Sequence, residues 1–232
     1  MTNVAVIDYE MGNLHSACKG LETAGATPKI TASPDDILSA DAVVLPGVGA
    51  FDPAMRHIRE RHLEPVIAKA IASGKPFLGI CVGLQILFEG SEEGTEPGLG
   101  IIPGIVKRFK SEPGITIPHM GWNQLELNQP QFPLWEKLNP NPYLYFVHSF
   151  YVEPVDSSIN AATVTHGSQT VTAAIARDNL MGVQFHPEKS SRNGLQILSN
   201  FVALTSCPKK SPTKVAGRGV AIAWETTGDS PS

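Results

Sequence analysis

One cysteine stands in a setting that can make it a nucleophile. Cys81 lies within Lys75-Pro76-Phe77-Leu78-Gly79-Ile80-Cys81-Val82-Gly83-Leu84-Gln85. Phe77 to Ile80 is a short apolar run of the kind that forms a fully buried strand. From Val82 onward the apolar spacing turns helical, with Leu84, Leu87 and Phe88 on one face. Gly-x-Cys-x-Gly at that changeover is the thiol version of the nucleophile elbow. The glycines let strand and helix pack where side chains would clash, and the cysteine is held strained and exposed above the sheet. A helix N-terminus aimed at the sulfur favours thiolate over thiol. A buried structural cysteine in a glycine-rich turn fits the same residues, because short motifs also occur by chance.

A second cluster is Gln184-Phe185-His186-Pro187-Glu188-Lys189. His186 and Glu188 are two apart, so in extended geometry they face the same way. The imidazole can take the thiol proton while the carboxylate holds its tautomer, the nucleophile-base-orienter logic of a triad. Taken alone, the pair reads more readily as a surface histidine beside an acid in a turn; joined to the cysteine elbow, the triad is favoured. A tetrahedral intermediate also needs oxyanion donors. The Val82 N–H is one candidate, and Gly47-Val48-Gly49 in the preceding loop offers another. A phosphate cradle is the other reading of that loop, but it lacks the lysine and length of a P-loop.

The elements that must position these groups read as alternating strands and helices. Val4–Ile7 and Ala42–Leu45 are continuous apolar runs, expected as central parallel strands; Thr27–Thr31 is a weaker one. Leu14 to Ala24 has helical spacing stopped by Gly25. Ser33-Pro34-Asp35-Asp36 starts a helix, with Ser33 as a candidate cap. Pro53–Arg61 and Pro65–Ser73 are helical, and Gly74 ends the second. Such alternation implies right-handed crossovers and a mostly parallel sheet. Functional loops then gather at the carboxyl ends of the strands, so Asp8–Asn13, Gly47–Phe51 and Cys81 are expected on one rim. Glu89–Pro103 reads as loop. Ile105 to about Val183 carries short alternating runs, expected as antiparallel strands. Met181–Phe185 returns to the core, and Leu195 to Leu204 forms a final helix ending near Ser206-Cys207-Pro208. Lys209 to Ser232 reads as a flexible tail, whose Val220–Trp224 patch could add an edge strand or dock on a partner.

Composition narrows the classes. The 232 residues fit one large domain or two small ones, and 42% hydrophobic against 17% charged residues supplies a substantial core. A formal net charge of -4 argues against an electrostatic nucleic-acid binder. No apolar stretch reaches membrane-spanning length, and Met1-Thr2-Asn3 runs straight into a strand without a signal-peptide pattern. The three cysteines, Cys18, Cys81 and Cys207, are too dispersed for a disulfide framework or zinc site and suit a reducing cytoplasm.

Together these residues resemble the class I, triad-type glutamine amidotransferases. Gly79–Gln85 looks like that family's nucleophile motif, Phe185-His186-Pro187-Glu188 like its His-Pro-Glu motif, and Pro46-Gly47-Val48-Gly49 like its oxyanion loop. Within the family, Pro118–Asn123, Tyr145–Tyr151 and His186–Ser190 are similar to the glutaminase subunits of imidazole glycerol phosphate synthases. The resemblance covers roughly Val4 to Leu204. It implies an α/β fold of flavodoxin-like class: a central, mostly parallel sheet flanked by helices, with an added antiparallel portion. It sets a domain at 1–207 and a C-terminal extension at 208–232. It implies a glutaminase without metal or organic cofactor, with Cys81, His186 and Glu188 catalytic and with Val82, Val48 and Gly49 at the oxyanion. Gly47, Gln85, Ser149 and Phe150 would hold the substrate's amino-acid end, and Glu93 its ammonium. Asn13, Met120, Trp122, Asn123, Tyr145 and Lys189 would meet a cyclase subunit, a (β/α)₈ barrel, in a heterodimer that receives the ammonia. Core filling is the alternative role for Trp122 and Tyr145. The isolated chain is expected to be nearly inactive, with the oxyanion loop presenting an acceptor rather than a donor. A glutaminase of another pathway, such as pyridoxal phosphate or anthranilate synthesis, and a catalytically silent interaction subunit are the competing assignments.

Overall fold

The computed structural model describes residues 1–206; Cys207 and the C-terminal extension read from the sequence, 208–232, lie outside the described residues. The first half alternates as expected. Strand β1 (Thr2–Ile7) leads to helix α1 (Leu14–Thr23), β2 (Ala26–Thr31), α2 (Pro34–Ser39) and β3 (Ala42–Gly47). Helices α3 (Phe51–Glu60) and α4 (Glu64–Ala72), strand β4 (Phe77–Cys81) and one helical turn, α5 (Val82–Gln85), follow. The second half is β5 (Gly104–Arg108), β6 (His119–Leu127), β7 (Tyr143–His148), β8 (Phe150–Pro154), β9 (Asn160–His166), β10 (Gln169–Arg177), β11 (Leu180–Val183) and helix α6 (Ser191–Ala203).

The sheet order is β2-β1-β3-β4-β11-β10-β9-β6-β7, with β5 and β8 branching beside β10. The pairs β1–β2, β1–β3, β3–β4 and β4–β11 are parallel; beyond β11 every pair is antiparallel. The parallel half therefore has the doubly wound order that reverses direction between β1 and β3, where ligands sit outside the carboxyl ends of the strands. Its inner strands are the continuous apolar runs: every residue of β3, β4 and β11 is buried. Edge strand β2 is largely exposed in its middle. No helix of the described residues is long and apolar enough to cross a membrane.

Two sequence expectations are corrected. The helix after Cys81 does not run on to Phe88; it is a single turn. The carbonyls of Ile86, Leu87 and Phe88 instead accept from the N–H groups of Leu99, Ile101, Ile102 and Gly100, so the 89–103 loop docks where further helix would run. Ser33 precedes α2 but its side chain makes no cap bond; Asp36 in the first turn binds Lys29 and Thr31 instead.

The glycines around Cys81 are dictated by packing. A Cβ on Gly83 would lie 1.8 Å from the Leu45 carbonyl oxygen, and one on Gly79 2.7 Å from the Gly83 oxygen. Both obstacles are backbone and cannot rotate away. Gly83→Ala is therefore expected to destabilise the fold by about 4 kcal/mol or more, lowering the melting midpoint by roughly 10 °C. Thermal unfolding checks this; a midpoint within a degree or two of wild type would contradict the packing argument.

Candidate active site

Four loops meet at the carboxyl rim of the parallel strands. Cys81 closes β4 with φ 56° and ψ −113°, a conformation that a non-glycine residue holds only when its surroundings impose it. The Gly79 and Gly83 contacts are what impose it. Residues 184–190 leave β11 and turn through one 3₁₀ turn, Pro187–Lys189, into α6. That turn is pinned: His186 N–H donates to Tyr145 O, Ser190 Oγ donates to His186 O, and Tyr145 N–H donates to Ser190 Oγ.

His186 Nδ1 and Glu188 Oε1 are 2.7 Å apart, with side chains 2% and 3% exposed. A carboxylate oxygen can only accept, so Nδ1 carries the proton and Nε2 faces the reaction space. Burial pulls the imidazole pKa down, but the Cys81 sulfur and the Glu188 carboxylate outweigh it and hold the pKa up at about 9. Charge on the ring is thus favoured by an acid behind it and a sulfur in front. Such a site can keep a nucleophilic sulfur paired with a proton donor.

These groups open on a cleft of about 710 Å³. Of the residues singled out from the sequence, Asn13, Val48, Gly49, Cys81, Val82, Gln85, Glu93, Ser149, Phe150, His186 and Lys189 line it. Glu188 stands behind His186. Gly47 does not line the cleft: a Cβ there would lie 2.4 Å from Tyr9 Oη and 2.6 Å from the Gly83 nitrogen, so its place is close packing against the elbow. The Val48 N–H donates to Met11 O at 3.2 Å, so in this state it is not available to an oxyanion. Glu93 Oε2 accepts from the Phe51 N–H at the start of α3, which fixes the carboxylate at the cleft edge.

The family model described as glutamine amidotransferase class-I matches residues 5–204. The chain belongs to this family. Among its relatives, the imidazole glycerol phosphate synthase subunit HisH of Microcystis aeruginosa is 75% identical over 202 residues, covering 87% of this chain and 95% of the relative. The HisH subunit of Acaryochloris marina is 70% identical over 212 residues, covering 91% and 99%. Among solved structures, one described as a glutamine amidotransferase has TM-score 0.68 at 18% identity, covering 88% of this chain and 99% of that one. PurLQS from Thermotoga maritima also gives 0.68, at 22% identity and the same coverage. At those identities the solved structures support the fold alone.

In this class-I amidotransferase the ribbon β6–β7 flanks the cleft. Pleat parity divides its residues. Met120 and Trp122 point outward, 62% and 51% exposed, and Trp122 pairs across the ribbon with Tyr145, ring centroids 6.1 Å apart. That placement removes core filling as the role of Trp122. Asn123 has the opposite parity. Its side chain turns inward to His119 Nε2 and Thr165 O.

Sequence reasoning missed Gln184. It is fully buried, donates from Nε2 to Cys81 Sγ at 3.6 Å, and accepts at Oε1 from Gln85 Nε2 at 3.1 Å. The signal was present: Gln184 precedes His186 by two residues and so shares its face. A separate cavity of about 310 Å³ lies at the other end of the strands, where Lys75 Nζ donates to the Leu38 and Ala40 carbonyls that end α2.

Proposed function

We propose that this chain is the glutaminase subunit of imidazole glycerol phosphate synthase, hydrolysing L-glutamine and passing ammonia to a cyclase subunit in histidine biosynthesis. The observation that carries the chemistry is the buried His186–Glu188 pair set at one rim with a strained Cys81. The relatives at 70–75% identity, matched over nearly their whole length, supply the pathway.

Cys81 Sγ attacks the side-chain amide carbon of glutamine. A tetrahedral oxyanion forms, and the imidazolium of His186 protonates the departing nitrogen, leaving a glutamyl thioester and ammonia. Neutral His186 then takes a proton from water, whose oxygen attacks the thioester carbon; glutamate leaves and the sulfur regains its starting state. Glu188 holds the ring tautomer throughout. Gln85, Ser149 and Phe150 frame the amino-acid end of the substrate, with Glu93 facing its ammonium. Val82 and Gly49 flank the oxyanion position, and Val48 joins them once its N–H leaves Met11.

The cyclase subunit, a (β/α)₈ barrel, seats against the outward face of the ribbon in a heterodimer. Met120, Trp122 and Tyr145 supply the apolar contact, with Asn13 and Lys189 at the cleft mouth. Lys189 is a cation beside the triad, suited to a partner carboxylate at the ammonia entrance. Ammonia then converts the phosphoribulosyl-formimino aminoimidazole carboxamide ribonucleotide to imidazole glycerol phosphate and AICAR. We place the enzyme in the cytoplasm, whose reducing conditions keep a catalytic thiol free.

The test mixes the chain with a cyclase subunit and follows glutamate release with and without the nucleotide substrate. Release is expected to be weak from the chain alone and to rise by at least about a hundredfold in the loaded complex, the scale set by one oxyanion donor. Full turnover by the isolated chain would overturn the role given to Val48; no release from the loaded complex would overturn the assignment.

A further inference from the structure

Between the outward ribbon and the cleft lies a line of polar side chains that the triad does not use. Asn123 Nδ2 is 3.1 Å from His119 Nε2, His119 Nδ1 is 2.9 Å from His148 Nε2, and His148 Nδ1 is 2.8 Å from the Phe150 carbonyl oxygen. Both histidines are 4% exposed. The direction of every bond follows from either end. A carbonyl only accepts, so His148 Nδ1 carries its proton and, in the neutral ring, His148 Nε2 accepts. His119 Nδ1 must then donate, which leaves His119 Nε2 to accept from Asn123. From the other end, Asn123 Oδ1 accepts from the Gln124 N–H and Nδ2 donates to Thr165 O, so the amide is oriented to donate to His119. Two independent anchors demand the same pair of tautomers.

The line does not stop at Phe150. Gln85 Nε2 donates to the same carbonyl at 3.3 Å and to Gln184 Oε1 at 3.1 Å, and Gln184 Nε2 reaches Cys81 Sγ at 3.6 Å. The Phe150 carbonyl is therefore the joint between the histidine line and the amides that hold the sulfur. We propose that His148 is a positioning residue for the glutamine site, and that His119 and Asn123 lock the tautomer with which it holds the Phe150 carbonyl. Surrounding groups favour uncharged rings: burial and then His166 hold His119 down at about 4, and burial, against the pull of the Phe150 carbonyl, holds His148 down at about 3. The Phe146 ring stacks on His119 at 4.9 Å and the Phe109 ring meets His148 edge-on at 5.1 Å, so neither ring is free to turn over.

This inference rests on the glutaminase reading, and its test separates the two. On the purified chain, nitrogen NMR of the imidazoles near neutral pH reads the tautomers without any partner. Nδ1–H with bare Nε2 is expected for both His119 and His148; Nε2–H at either ring overturns the relay. In the complex with the cyclase, His148→Leu is expected to raise the glutamine KM and to lower kcat/KM by about tenfold or more. His148→Asn keeps a donor near the Nδ1 position and is expected to recover most of that loss. Turnover with added ammonia should be the same for wild type and both variants, which confirms assembly. Equal glutamine kinetics for Leu, Asn and wild type would overturn the positioning role. If His148→Leu does not fold, the Asn variant and the wild-type tautomers still decide. Wild-type complex that makes product from ammonia but never from glutamine would sink the functional reading instead, while the tautomers remain measurable.

Discussion

A Cys81→Ala complex is expected to make product from added ammonia and none from glutamine. Removing a nucleophile that acts as one unit with its base costs about 10⁴-fold or more in kcat. Little else changes. The side chain is small, Cys81 already holds φ 56°, and alanine is no more strained there than cysteine. The main structural loss is the Gln184 Nε2 contact to sulfur, about 1 kcal/mol for one hydrogen bond. Ammonia-dependent turnover then reports an intact complex while glutamine-dependent turnover reports the missing thiol. The wild-type chain offers an internal control. Cys18 is a second free thiol in the described residues, and burial and then Glu22 push its pKa up, so it stays protonated near neutrality. A glutamine-analogue diazo ketone should therefore label Cys81 and leave Cys18 untouched. Glutamine-dependent product from Cys81→Ala would reject the catalytic assignment outright.

The parallel half was legible because its information is local. A strand buried on both faces must be apolar at every position, and β3 and β4 announce themselves that way. The elbow was legible because Gly79, Cys81 and Gly83 lie within five residues. The length of α5 was not, because what ends it is a loop more than ten residues onward claiming the Ile86–Phe88 carbonyls. The cleft residues came mostly from the family resemblance, and the geometry adds what the motifs alone could not show. Gly47 is glycine because Tyr9 and Gly83 crowd it. Asn123 follows Trp122 in sequence yet faces the other way, since neighbours on a strand point to opposite sides. Gln184 and His148 escaped notice because a buried polar side chain has meaning only through its partners, and those partners, Cys81 and His119, are distant along the chain.

Glu188→Gln is expected to lower kcat by about 10⁴-fold with the fold retained, the scale seen when a triad's orienting acid is made an amide. Size and shape barely change; two electrical properties do. Glu188 Oε1 accepts from His186 Nδ1 at 2.7 Å, which in the neutral ring leaves the lone pair on Nε2, the nitrogen that exchanges the proton with the sulfur. A glutamine amide can present its N–H instead, and the ring then carries its proton on Nε2 and cannot take one from Cys81. The second change is charge. With the carboxylate gone, burial is opposed by the sulfur alone, and the imidazole pKa must fall below its present value of about 9. The sign of the pH effect follows. His186 is raised from 6.5 to about 9, so its contribution to folding is complete below about pH 6.5 and is lost as pH rises through about 9. Wild-type stability should decline across that window, and Glu188→Gln should flatten the decline. Melting midpoints across the same pH range, together with glutaminase kcat in the cyclase complex, read both changes. A variant within tenfold of wild-type kcat, with an unaltered pH slope, would mean that Glu188 neither orients nor charges the imidazole.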